Sequence, residues 1–543
     1  MKKLQLIALS LFATTGLLTS CGGKSGVGTD YTVDMTVDTR GVEIEFWTSF
    51  GADVTAALET VLDEFREETG IKVTHTGKGG YEGLREAVSL GASGQKYPNV
   101  CIGYPDHFAG YINSDIQLRL DFLIEHDKEI PSTRDEDENY PNFTEVDPID
   151  MDSFYKDYMN ENLNLEFKPD GTGYTLGLPF NKSTEVMVYN KTFIDWGNSK
   201  DSKIKVPQTY EEIESCGEAI YKLIDNVTRT FDTTKKGLLD YDSNKNPTKG
   251  YVLGNDGKAY QDDTKCKEAT KKDPVLDLSS VSSAEPFRVF SYDSQANFFI
   301  SLIRNYGGQY THLDKTTRKG YIDFNNDITK DALEMVKRLS DKKILGIPAT
   351  WNLQNYATNA FKKEETLFSI SSSAGAHKNV NDIRYDMGVA TVPVKDLSNK
   401  NVISQGTNLA ILDKGSDKEI VASWKLIKYL TQKGNGAFAY GAGYFPCSTI
   451  GMNSDIYRNF LKGGSASDSA SDKAKRASAN VNADVYLNEA ENWNKFVDAA
   501  FVGSSLVRTE AETIIPQVID GQLSIDEILN NAYSNLASYV EKK

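Results

Sequence analysis

Cysteine and histidine are scarce, five of each among 543 residues, and their placement excludes the chemistry they usually bring. No two of His75, His107, His126, His312 and His377 share a helical turn, so the HExxH zinc arrangement is absent. Apart from Cys21, the cysteines (Cys101, Cys216, Cys266, Cys447) have neither CxxC nor metal-ligand spacing, which argues against a disulfide framework or a metal centre. Cys101 in an apolar run and Cys216 on a helical pattern read as small core residues. No GxSxG elbow and no GxxxxGK[ST] phosphate loop occurs, and Gly77, Gly79 and Gly83 give GxGxxxG, which misses the dinucleotide fingerprint. No cofactor is therefore expected. Basic charge is in deficit: 60 Lys and Arg stand against 77 Asp and Glu, a net charge of −17. Nucleic acid, which demands a basic face, is excluded as a partner.

What is present is a globular composition, 39% hydrophobic and 10% aromatic, in a chain long enough for two or more domains. Lys2 and Lys3 precede a mostly apolar run from Leu4 to Leu18, shorter than the roughly 20 residues that span a bilayer. Residues 1–20 read as a secretory signal. Leu18-Thr19-Ser20-Cys21-Gly22 resembles the lipobox, in which cleavage precedes the cysteine and Cys21 carries the lipid. The alternative is a secreted protein in which Cys21 is a bystander. Residues 21–40 lack helical periodicity and predict a flexible tether, leaving a folded body at the outer face of a membrane.

Along that body, Val42, Ile44 and Phe46 alternate as a strand, Leu58, Val61, Leu62 and Phe65 follow at helical spacing, and Gly70 precedes a second strand from Ile71. Val100-Cys101-Ile102 makes a third. This β-α-β pattern predicts an α/β fold with a parallel or mixed sheet and ligands beyond the strands' carboxyl ends, where Trp47, Tyr81 and Tyr104 should converge. Thr209-x-x-Glu212 and Ser524-x-x-Glu527 mark helix starts. Residues 125–150, 226–283 and 463–479 read as solvated surface additions.

Several motifs occur in a characteristic order: Phe46-Trp47-Thr48-Ser49-Phe50, Gly79-Gly80-Tyr81-Glu82, Leu178-Pro179-Phe180-Asn181-Lys182-Ser183-Thr184, Ser371-Ser372-Ser373-Ala374-Gly375, Gln405-Gly406-Thr407-Asn408 and Gly443-Tyr444-Phe445-Pro446, then Arg508. With these the chain resembles family 1 extracellular solute-binding proteins, the receptors of ABC importers, most nearly the members that bind glycerol-3-phosphate and sugars. The resemblance implies a two-lobed, type II periplasmic-binding-protein-like fold with a hinged cleft. Residues 41–178 and 405–450 would form lobe 1, and 179–404 with 451–543 lobe 2. Crossings are implied near 176–179, 403–406 and 444–449.

The resemblance carries ligand contacts onto Tyr81, Ser183, Ser372, Gly406, Tyr444 and Arg508. It adds Asp106, where the family's acid is either displaced by one residue or replaced, while Ser291-Tyr292-Asp293 stands where glycerophosphate binders place tryptophan. Arginine offers a planar fork to phosphate or carboxylate, serine hydroxyls complete a polyol shell, and tyrosine rings pack against C–H faces. Arg508 has an alternative as an ion pair with Glu510 or Glu512. The implied partners are a sugar or glycerophosphate solute, ABC permease subunits, and the membrane through the Cys21 lipid, with the receptor itself a monomer. The competing reading is a lipid-anchored, glycosidase-like enzyme, which would need two carboxylates about 5 to 9.5 Å apart.

Overall fold

The computed structural model describes residues 31–536, except 164, 229–238, 242–246, 254–258, 262–275, 277–282, 318, 382–383 and 464–467. The signal segment, Cys21 and Cys266 lie outside these residues. Lobe 1 begins with β1 (Glu43–Thr48), α1 (Ala52–Thr69), β2 (Lys72–Gly77), α2 (Tyr81–Gly91), β3 (Val100–Gly103) and α3 (Pro105–Asn113). The helical spacing of Leu58, Val61, Leu62 and Phe65 buries one face of α1, and Gly70 ends it at φ +67° with its N–H on the Arg66 carbonyl. A side chain at Gly70 would also strike the Tyr140 ring. β1 pairs in parallel with β2 and β3, and the sheet continues antiparallel through Asn408–Ile411 to β4 (Leu178–Pro179).

Lobe 2 is built on a seven-stranded sheet. Its centre is β5 (Ser183–Asn190), flanked by Thr366–Ser372 on one side and by Met387–Thr391 and Lys400–Gln405 on the other. Each lobe encloses its own hydrophobic core, one around Phe46, Ile102 and Trp424, the other around Phe299, Val336 and Ile515. Two crossings lie side by side. β4 runs into β5 while Lys400–Gln405 runs into Asn408–Ile411, joined by Gln405 opposite Ser183, Asn408 opposite Pro179, and Phe180 N–H on the Thr407 carbonyl at 3.2 Å.

Phe445 N–H bonds the Lys182 carbonyl at 2.8 Å, but the chain then returns to lobe 1 as helices Thr449–Asn453 and Asp455–Lys462. Tyr457 and Phe460 of the second helix pack with Ala439 and Tyr440. Val481, on the helix Ala470–Tyr486 that follows, packs with Val186 and Val188 of β5 in lobe 2. The segment 463–479, read as a loop, is helical from Ala470 to Tyr486: Ser469 and Asp472 form a capping box, and Ala474, Ser478, Ala479 and Val481 are buried.

Two further stretches are more ordered than their composition suggests. Within the expected tether, residues 31–40 pack on lobe 1, with Val33, Met35 and Thr39 buried. The acidic stretch 125–150 is strapped to the helix Asp417–Thr431 by buried lysines, Lys425 to Glu145 at 2.5 Å and Lys428 to Asp127 at 2.9 Å, while Trp424 Nε1 donates to Asp127 at 2.6 Å. Burial on this scale requires partners, and the strap supplies the carboxylates. Most of 226–283 lies outside the described residues; what is described includes a small antiparallel sheet of Leu239–Tyr241, Pro247–Leu253 and Ala259–Gln261. Among the described residues no helix is long and apolar enough to cross a membrane, and Cys101, Cys216 and Cys447 are free and buried.

Candidate functional site

Lobe 1 carries a cluster of aromatic rings beyond its strand ends. Gly79 and Gly80, at φ +64° and +93°, turn the chain off β2 so that Tyr81 opens α2. Tyr104 sits just before α3, whose first residue is Pro105, and its ring meets Tyr81 edge-on at 5.0 Å. Tyr444 follows Gly443 (φ +81°) and stacks on Phe438 at 5.8 Å, with Phe50 at 6.4 Å. Burial, then the neighbouring Tyr81, pushes both the Tyr104 and Tyr444 hydroxyls well above the ordinary tyrosine range, so they remain proton donors. Trp47, at the end of β1, carries the Lys78 ammonium over its ring at 3.6 Å.

Lobe 2 presents a polar network. Arg508 pairs with Asp498 and donates to Asn297 Oδ1; Asn297 Nδ2 donates to Glu185 Oε1 at 3.0 Å, and Tyr292 donates to the other Glu185 oxygen. The expected alternative partners, Glu510 and Glu512, are not those Arg508 uses. Burial works against its charge, but Asp498 and then Asp106 hold the guanidinium's pKa above its ordinary value. The Asp106 effect matters because this carboxylate stands on lobe 1, in the first turn of α3. Burial raises Glu185 to about 7 and Asp293 to about 7, against the hydrogen bonds each accepts.

The seven expected contacts therefore divide by position. Tyr81, Asp106 and Tyr444 line lobe 1, Arg508 and Ser372 line lobe 2, and Ser372 donates to Ser183 at 3.3 Å beside the crossing. Gly406 lies within the crossing. At φ +98°, a Cβ there would stand 1.9 Å from the Asn181 carbonyl oxygen, so close backbone packing accounts for its identity. The lobes meet around this cleft: Lys475 Nζ donates to the Gly441 carbonyl at 2.8 Å, and Lys495 pairs with Asp157 at 3.0 Å.

Sequence reasoning missed Glu185, Asn297, Tyr356 and Asp498. Tyr356 projects from lobe 2, 66% exposed, within electrostatic reach of Tyr81 and Asp293. Glu185 had a signal, a lone acid in a strand whose other residues are apolar or small and polar. Asp498 and Tyr356 had none, because their segments show no periodicity. Among the described residues no cluster of acids, histidines or cysteines could hold a metal ion.

The fold is shared with solved binding proteins. UgpB of Mycobacterium tuberculosis, solved with glycerophosphocholine, superposes with a TM-score of 0.61 at 15% identity, over 91% of this chain and 98% of that one. The GacH receptor of Streptomyces glaucescens, solved unliganded and with acarbose, gives 0.58 at 15% identity over 92% and 99%. Maltose-bound MalE3 of T. maritima gives 0.59 at 14% identity over 91% and 99%. At such identities the likeness speaks for the two-lobed fold alone. No curated protein matches the chain. The bacterial extracellular solute-binding protein family matches residues 60–450, across both lobes and through the paired crossings. The match takes in most of the chain, and the protein belongs to that family.

Proposed function

We propose that the chain is the substrate-binding receptor of an ABC importer, held at the outer face of the membrane through a lipid on Cys21, and that its solute is a carbohydrate delivered to the permease subunits. The family is one of binding proteins, not enzymes. Glu185 and Asp293, two buried carboxylates poised near neutrality, have protonation states suited to a glycosidase, yet both oxygens of Glu185 are already occupied by Tyr292 and Asn297. In this reading Glu185 is a positioning group: it holds Asn297, whose Oδ1 accepts from Arg508.

The observation that carries the carbohydrate reading is the pairing of walls. One lobe offers Tyr81, Tyr104 and Tyr444 for C–H faces, and the other offers the Arg508 guanidinium and the Ser372 hydroxyl for polar groups. Contacts from both lobes stabilise the closed state over the open one, which is what a ligand-driven hinge requires. A glycerophosphate solute is the second reading, favoured by the likeness to UgpB. Against it, the Arg508 charge is already met by Asp498, with Asp106 facing it.

A thermal-shift panel of neutral sugars, sugar phosphates and glycerophosphodiesters tests the choice. A ligand at 100 times its Kd adds about 2.7 kcal/mol. Stabilisation by a neutral saccharide, abolished in Tyr444→Ala, supports the reading; a response to glycerophosphodiesters alone refutes it.

A further inference from the structure

Beside Arg508 the cleft opens into a cavity of about 310 Å³, at the small end of the roughly 300–1,000 Å³ typical of small-molecule sites. Asn160, Glu161 and Leu165 bound it from lobe 1, and Tyr310, Phe496 and Asp498 from lobe 2. Its acids are committed: Glu161 to Lys182 and Ser404, and Asp498 to Arg508. His312 is also committed, with Nδ1 2.6 Å from Asp323. Two lining cations are left over. The Arg304 guanidinium lies over the Phe496 ring at 5.6 Å, and the Lys315 ammonium reaches the Phe167 ring of lobe 1 at 5.7 Å. Neither is ion-paired among the described residues. Aromatic faces orient a cation without cancelling its charge. Two lining hydroxyls able to donate to an anion, Tyr310 OH and Thr311 Oγ1, are buried without a hydrogen-bond partner, while Asp498 meets Arg508 through Oδ2 and leaves Oδ1 unpartnered.

We propose that this side cavity is a subsite for an acidic substituent on the captured saccharide: a carboxylate, sulfate ester or phosphate ester held by Arg304 and Lys315. The inference rests on the carbohydrate reading and specifies it further. The sugar ring occupies the tyrosine-walled cleft, and its anionic group turns toward the two free cations. The guanidinium's planar fork suits each of these oxyanions, and the ammonium adds a second point charge. Lys315 leans on Phe167 across the lobe boundary, so filling the cavity would also favour closure.

The test is isothermal titration of the full mature chain with neutral di- and trisaccharides and with their uronate, sulfated and phosphorylated counterparts. At least one acidic class is expected to bind more tightly than its neutral counterpart by on the order of tenfold at low salt. The acid-to-neutral ratio should fall toward unity in R304Q/K315Q, and comparing the three classes identifies the anion. Both side chains are exposed, so the variant keeps the fold, checked by its melting temperature without ligand. Equal binding of acidic and neutral sugars overturns the proposal, as does a preference that survives in R304Q/K315Q. If no saccharide binds, the carbohydrate reading fails by itself, and inorganic sulfate and phosphate become the probes. Stabilisation of the parent but not of R304Q/K315Q upholds the subsite, and any other pattern overturns it.

Discussion

Lys182 and Glu161 form a buried ion pair where the lobes join. Their Nζ and Oε2 atoms are 2.6 Å apart, with side-chain exposures of 0% and 3%. Nζ also donates to the Gly406 carbonyl at 3.2 Å, and Ser404 Oγ donates to the second Glu161 oxygen at 2.6 Å. Removing either charge strands the other away from water, which costs about 3–5 kcal/mol, whereas removing both leaves no isolated charge. Lys182→Met and Glu161→Gln should therefore each destabilise by about that amount. The double variant should lose less than the sum by at least about 2 kcal/mol, a coupling readable in a double-mutant cycle. Urea unfolding followed by tryptophan fluorescence is a suitable assay, and the constancy of the m-value shows whether the compared states are the same. Losses below about 1 kcal/mol for both single variants, or simple additivity in the double, would refute the premise that desolvation dominates at this junction.

Two more outcomes are expected. Glu185 has a folded pKa of about 7 against an ordinary 4.5, so the native state holds its proton longer. Its favourable contribution is complete below about pH 4.5 and is lost as pH rises toward 7, up to about 3 kcal/mol. Glu185→Gln should thus gain stability relative to the parent between pH 5 and pH 8, and urea unfolding that gives the same difference at both pH values would show that Glu185 titrates normally. Gly406→Ala forces a side chain onto the Asn181 carbonyl at positive φ. It should cost at least about 1–3 kcal/mol of stability; an unperturbed melting curve would show that the crossing has slack.

Much of lobe 1 was legible because its elements are local. Alternation over 42–46, helical spacing over 54–65 and the stop at Gly70 each lie within one window, and α1 begins and ends close to where they indicate. The seven site residues were reached through motif order alone, and they stand on both lobes and at the crossing between them. What escaped depends on partners far along the chain. The acids of 125–150 read as solvated because Lys425 and Lys428, which bury them, come almost 300 residues later. The helix Ala470–Tyr486 hid because its buried stripe is largely alanine, serine and asparagine, packing closely without a strong apolar pattern. Asn297 escaped because it meets Arg508 across 211 positions, and Asp498, although only 10 positions from Arg508, lies in a segment without periodicity.

The strand Asn408–Ile411 fills the gap between β3 and β4, although all of lobe 2 up to Gln405 intervenes in the sequence. A chain emerging from its amino end must hold the open edge of β3 unpaired until that late strand arrives, together with the helix that clamps the acidic strap. Pairing across so long a separation is slow and leaves apolar edges available to wrong neighbours. Maturation of lobe 1 is thus timed by the carboxyl-terminal third of the polypeptide, and truncations before Ile411 should accumulate as aggregates and not as a free-standing first lobe.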